Sequence, residues 1–158
     1  MRFTLFAALL MTLGCASAYD ETYARETTRL EQEEQARQAR EEAAHAEARR
    51  YAAVVYFDLN SAAISEEGYR ELAWFVKQVE PYPQAIIQVQ GFADSTGMES
   101  LNQKLSEERA ESVARYLSSV GIDPARIRTE GFASEFAARP NLTEEGRERN
   151  RRVEVTVR

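Results

Sequence analysis

The stretch GFADSTGMESLNQKLSEERAESVARYLSSV, residues 91–120, decides the fold. Gly91 to Gly97 reads as a loop, with glycines at both ends of a short polar run around Asp94. From Glu99 to Val120 the spacing is helical. At about 100° per residue, Leu101, Leu105, Val113, Tyr116, Leu117 and Val120 share an arc of roughly 160°. Lys104, Glu107, Glu108, Glu111 and Arg115 fall on or near the other side. Arg109 breaks this pattern, because it lies near the centre of the apolar arc together with Asn102 and Ser106. Burying a guanidinium unpaired costs several kcal/mol, so it needs an acid inside the protein or on a ligand. Asp94, just upstream, is the internal candidate.

Outward from this stretch, helices and strands alternate. Ala52 to Phe57 reads as a strand, and Asp58-Leu59-Asn60-Ser61 as a loop. Ser65 can cap a helix with Glu66 and Glu67 in its first turn and Leu72, Phe75, Val76 and Val79 on its buried face; Pro81 stops it. Gln84 to Gln90 is a second strand. Gly121 ends the long helix, and Asp123-Pro124 makes a turn. Arg126 to Phe132 is a third strand and Ala133 to Asn141 a loop. Thr143-Glu144-Glu145 begins a short helical turn, and Val153, Val155 and Val157 alternate in a last strand. The order β-α-β-α-β-(α)-β predicts an α/β (α+β) layered domain, its helices on one face of a four-stranded mixed sheet. Three strands end in similar pieces: Phe57-Asp58, Phe92-Ala93-Asp94 and Phe132-Ala133-Ser134. If at least two of them run parallel, Asn60, Asp94 and the start of the Arg109 helix converge at one edge.

The chain has 158 residues and a formal net charge of −6, which leaves room for one modest domain after an unusual N-terminal third. Acidic balance with scattered basic residues argues against nucleic-acid binding. One cysteine, Cys15, excludes an internal disulfide framework, and the lone His45 sits in a charged helix, so no metal site or cofactor is implied. Arg2 followed by the apolar run Phe3 to Leu13 reads as an export signal, too short to span a bilayer comfortably. Thr12-Leu13-Gly14-Cys15 resembles a bacterial lipobox, with Thr12 where that motif usually has an aliphatic residue. Residues 1–14 are then the signal, Cys15 becomes the lipidated first residue, and Ala16 after it implies the outer membrane by bacterial sorting rules. The alternative is cleavage after Ala16-Ser17-Ala18, releasing a soluble periplasmic protein. From Tyr19 to about Arg50 the chain is rich in Glu, Arg, Gln and Ala, without Gly or Pro and with no lasting heptad seam. It reads as a solvated, partly helical spacer or as a disordered charged linker. The globular domain is expected over 51–158.

Asp94, Thr96, Asn102 and Arg109 follow one another along a loop and the helix it feeds. Asp94 can receive an ammonium group, and Arg109 can take a carboxylate through two parallel hydrogen bonds. Such a pair suits a zwitterion carrying both charges on one carbon, with Thr96 and Asn102 adding neutral hydrogen bonds. A purely structural Asp94–Arg109 ion pair is the other reading of the same residues.

Val55-Tyr56-Phe57-Asp58-Leu59-Asn60-Ser61 resembles the opening motif of the OmpA-like C-terminal domain family, which includes the peptidoglycan-associated lipoproteins. Gly91 to Gly97 followed by Asn102 to Ala110 is similar to the family's central signature. Gly131-Phe132-Ala133 and Thr143 to Val155 are similar to its closing one. The resemblance covers about Val54 to Arg158. It implies noncovalent binding of peptidoglycan, with Asp94 and Arg109 holding the diaminopimelate of the stem peptide. Asn60, Thr96 and Asn102 would line the pocket, and one arginine of the pair Arg151 and Arg152 would contribute. Alternation with Val153 puts Arg151 on the core-facing side and Arg152 on the other. Many members have His-Thr where this chain has Phe92-Ala93.

The expected function is that of an outer-membrane tether, lipid-anchored and facing the periplasm, that supports envelope integrity. The alternative is a module that docks on periplasmic envelope proteins, of Tol-Pal or another system, with wall binding secondary. Wall hydrolysis is disfavoured: the domain has no histidine or cysteine, and an arginine beside Asp94 would keep its pKa too low for a general acid. Asp94→Ala and Arg109→Ala are each expected to abolish binding to sacculi while leaving the fold intact.

Overall fold

A computed structural model describes residues 4–158, with side chains from residue 22 onward. Arg2 and the Cys15 side chain, on which the export and lipidation readings rest, lie outside the described residues. The order is α1 (Thr4–Ala48), β1 (Ala52–Tyr56), α2 (Glu66–Val79), β2 (Ile87–Gly91), α3 (Glu99–Ser119), β3 (Ile127–Gly131), α4 (Glu144–Asn150) and β4 (Arg152–Val157), with a 3-10 turn at Pro124–Arg126 before β3. The chain divides into two compact units at Ala44.

The spacer is helical, as its composition of strong helix formers favours. Arg29 pairs with Glu26 and Glu33, and Arg37 with Glu34, all one turn apart along the exposed surface. The second compact unit starts at Ala44, earlier than the Tyr51 boundary expected from composition. The last turn of α1 belongs to it, because Ala48 is fully buried in the hydrophobic core.

The sheet order is β1-β4-β2-β3. β4 is antiparallel to both β1 and β2, and β2 is parallel to β3. Strands β1, β2 and β3 therefore point the same way, and their carboxyl ends share one edge. The core lies under α2 and α3, built from Val55, Leu72, Phe75, Ile87, Val89, Val113, Leu117, Val153 and Val155. Ser65 caps α2 by accepting from the Gly68 N–H at 3.1 Å.

Two expectations shift. β2 starts at Ile87 rather than Gln84, because Arg126 donates to the carbonyls of Tyr82 and Ala85, at 2.9 and 2.8 Å. Leu101 on α3 and Val120, its C-cap, are exposed. The buried line instead runs through Asn102, Ser106, Arg109, Ala110, Val113 and Leu117. Its first half is polar because α3 meets backbone there. A Cβ at Gly91 would collide with the Ser106 carbonyl oxygen, and one at Gly131 would sit 2.6 Å from Ser106 Oγ. Two glycines thus bring α3 onto the ends of β2 and β3.

Candidate ligand-binding site

Arg109 is fully buried and is not directly paired with Asp94, so the reading of the two as a purely structural ion pair does not hold. Its Nε donates to Ser61 O at 2.9 Å, Nη1 to Phe92 O at 3.0 Å and Nη2 to Asp58 O at 3.0 Å. Its Cζ lies 5.4 Å from the Phe57 ring centroid. Three backbone carbonyls therefore stabilise the cation where the sequence suggested one carboxylate. Two of them come from the turn Asp58–Ser61, closed by Ser61 N–H to Asp58 O at 3.2 Å. Asn60 makes that turn possible with a left-handed φ of 53°, a conformation its side chain tolerates better than most. Burial pulls the Arg109 pKa down to about 10, with Asp94 opposing and Arg151 adding to the shift, so it stays cationic at neutral pH.

Asp94 is 3% exposed. Its Oδ1 accepts from the Thr96 N–H at 2.7 Å, and its Oδ2 from Arg151 Nη1 at 2.9 Å. Its backbone oxygen accepts from Asn102 Nδ2 at 3.0 Å. Burial alone would raise the Asp94 pKa, but the hydrogen bonds from Arg151 and Thr96 outweigh it and hold the carboxyl below its ordinary value. Arg151 also reaches Glu144 Oε1 through Nη1 and Nη2, both at 3.2 Å, and Phe57 O through Nε at 3.2 Å.

The structure thus brings together Asp94, Asn102, Arg109 and Arg151, with Thr96 and the Asn60 turn exposed beside them. It does not bring Arg152 there. Arg152 donates to Glu154 at 2.6 Å and to Phe136 O at 3.2 Å, and its Cζ lies 4.0 Å from the Phe92 ring centroid. Phe92 in turn stacks on Phe132 at 5.5 Å. Sequence reasoning missed Glu144. It sits in the first turn of α4, and Arg151 caps the end of that helix; the shortness of the helix is what lets the two side chains meet. Among the described residues, no cluster of three or more His, Cys, Asp or Glu side chains could hold a metal ion.

The edge formed by Phe57-Asp58, Phe92-Ala93-Asp94 and the α3 arginine coincides with a family pattern. The model of the OmpA family matches residues 56–151. The chain belongs to the OmpA family. Over 103 residues, 65% of this chain and 47% of the relative, it is 41% identical to the probable lipoprotein YiaD of Escherichia coli (strain K12). Over 102 residues it is 43% identical to outer membrane protein A of Bordetella avium, covering 65% of this chain and 53% of that one. The chain thus spans about half the length of these curated relatives. The OmpA-like fold also matches solved structures. The peptidoglycan-associated lipoprotein from Burkholderia pseudomallei superposes with a TM-score of 0.64 at 27% identity, covering 67% of this chain and 90% of that one. The cell wall anchor of the T6SS from Pseudomonas aeruginosa gives 0.58 at 30% identity, covering 67% and 79%.

Proposed function

We propose that this OmpA-family protein binds peptidoglycan noncovalently through the diaminopimelate of the stem peptide and tethers the outer membrane to the wall. The observation that carries the reading is a buried cation and a buried anion, near enough to feel each other's charge but not bonded to each other, that each keep bonding capacity. Arg109 has five N–H groups, and the three carbonyls use one each. One N–H remains on Nη1 and one on Nη2, enough for a two-point contact with a carboxylate. The Asp94 carboxylate accepts two hydrogen bonds out of about four it can take, which leaves room for an ammonium. A diaminopimelate side chain ends in both groups on one carbon.

Neither charge faces solvent in this structure, since Arg109 is 0% and Asp94 3% exposed. Ligand entry therefore requires the 58–61 turn or the Arg151 side chain to yield. Both are surface-linked: the turn is exposed at Asp58, Leu59 and Asn60, and Glu144, which holds Arg151, is exposed too. Lipidation at Cys15 would supply the membrane end, several acyl chains giving durable anchoring at about 0.8 kcal/mol per buried CH₂. From residue 15 to 48, α1 would reach about 50 Å at 1.5 Å per residue. The names of the relatives, a probable lipoprotein, a peptidoglycan-associated lipoprotein and a cell wall anchor, support the same reading.

Pelleting with purified diaminopimelate-containing sacculi tests it. The wild-type chain is expected in the pellet and Asp94→Asn in the supernatant. Pelleting of both alike would refute the site.

A further inference from the structure

Beside the Asp94–Arg109 cluster lies a cleft of about 500 Å³ that the family resemblance does not assign. Tyr56, Asp58, Ser65, Glu148, Arg149 and Arg151 are among its lining residues. Two of these connect it to the cluster: Arg151 bonds Asp94, and the Asp58 carbonyl accepts from Arg109. Ser65, the N-cap of the 14-residue α2, also lines it, with Glu66 and Glu67 in that helix's first turn offsetting the positive end of its dipole.

Arg149 is the cation of this cleft that makes no ion pair among the described residues. Arg151 is committed to Asp94 and Glu144. Arg149 has no carboxylate within ion-pair distance among the described residues, although Glu148 and Asp58 line the same cleft. Among the described residues its side chain hydrogen-bonds Tyr56 alone, with Nη1 3.5 Å from the phenolic oxygen and Cζ 5.4 Å from the ring centroid, while Glu145 and Glu148 attract it from beyond ion-pair distance. Stacking on the ring pre-orients the planar guanidinium without satisfying it, and its donors match a carboxylate bidentately. Asp58 and Glu148 offer acceptors for the N–H groups of a peptide on the same surface.

We infer that this cleft is an extension of the wall-peptide site, in which Arg149 takes a second carboxylate of the stem peptide while the diaminopimelate end occupies Asp94 and Arg109. The inference rests on the wall-binding reading. A stem peptide carries such a carboxylate on either side of diaminopimelate: the α-carboxylate of γ-linked D-glutamate before it, or the terminal carboxylate after it. A protein carboxylate is the competing occupant; continuity with the Asp94 cluster favours the peptide.

Calorimetry of the full chain in detergent decides between them. The probes are the free-acid tetrapeptide L-alanyl-γ-D-glutamyl-meso-diaminopimelyl-D-alanine, the same peptide amidated at the glutamyl α-carboxylate, and the same peptide amidated at its C-terminus. Arg149→Ala, an exposed position, is expected to keep the wild-type melting temperature and to bind the free acid about tenfold more weakly. One amide is expected to cost the wild type the same factor and to cost Arg149→Ala nothing, which names the carboxylate. If Arg149→Ala binds the free acid as tightly as wild type, the inference fails while the Asp94 site stands, and loss of a periplasmic protein partner in that variant would reassign the cation. If the wild type binds none of the three peptides, both readings fail.

Discussion

At the residue scale, Arg109 shows how a fixed charge is accommodated without an adjacent acid. Three carbonyls converge on it, so truncation would leave the Ser61 and Phe92 carbonyls without this donor and leave the Asp58 carbonyl only the Ser61 N–H that closes the turn. Arg109→Ala is therefore expected to lose about 3–5 kcal/mol as well as ligand binding, measured by denaturant unfolding. The sequence reading expected an intact fold, whereas the three carbonyl contacts make Arg109 part of the fold as well as of the site. Arg109→Lys recovers little, since one ammonium cannot reach carbonyls spaced for a planar fork. Asp94 makes a cleaner test. Asp94→Asn keeps the shape but removes a buried, hydrogen-bonded charge from Arg151, at a cost of about 2–3 kcal/mol near neutral pH. The folded Asp94 pKa lies below its unfolded value of about 3.9, so its stabilisation is fully present above that pH and is lost as pH falls through the depressed folded pKa. The stability gap between wild type and Asp94→Asn should be flat from about pH 7 to 5 and shrink below about pH 4; a gap that widened in acid would contradict the assignment.

At the element scale, α3 meets the sheet through Gly91 and Gly131. Gly91→Ala should push α3 off the end of β2. Because the collision is with backbone, it is expected to destabilise by more than 1 kcal/mol, at about the cost of overpacking, readable in a thermal melt. Phe92 is held on three sides. Its N–H donates to Arg152 O at 2.9 Å, its carbonyl accepts from Arg109, and its ring lies beneath the Arg152 guanidinium. Phe92→Ala is expected to weaken ligand binding by displacing that carbonyl, and Phe92→Tyr to preserve it, both measured with the same sacculi. The elements were largely legible in the sequence, because capping at Ser65, helical spacing over 99–119 and alternation over Val153–Val157 are local signals. The charge partners were not. The Arg151–Asp94 pair joins residues 57 positions apart, and the carbonyls on Arg109 leave no trace in side-chain chemistry. Leu101 misled for the same reason: periodicity counts apolar residues, whereas this end of α3 packs polar atoms against strand ends.

At the scale of the whole molecule, the chain joins an alanine- and glutamate-rich helix to an OmpA-family domain whose first three strands end on one edge. The proposed tether needs both ends. Cys15→Ser is expected to move the protein from the outer-membrane fraction to the soluble periplasm while leaving its affinity for sacculi unchanged, and mass spectrometry of the wild-type N-terminus is expected to show acylated Cys15. A mature chain beginning at Tyr19 would make it a soluble wall binder instead. On the proposed reading, selectivity for diaminopimelate would follow from the charges of Asp94 and Arg109. Lysine in place of diaminopimelate keeps the ammonium for Asp94 but removes the carboxylate from Arg109, which then faces the ligand unmatched. The most direct measurement is calorimetric titration of the full chain with two stem peptides that differ only in meso-diaminopimelate or L-lysine. Binding of the diaminopimelate peptide at least tenfold tighter is the predicted result; equal affinity for the two would contradict a zwitterion held between Asp94 and Arg109.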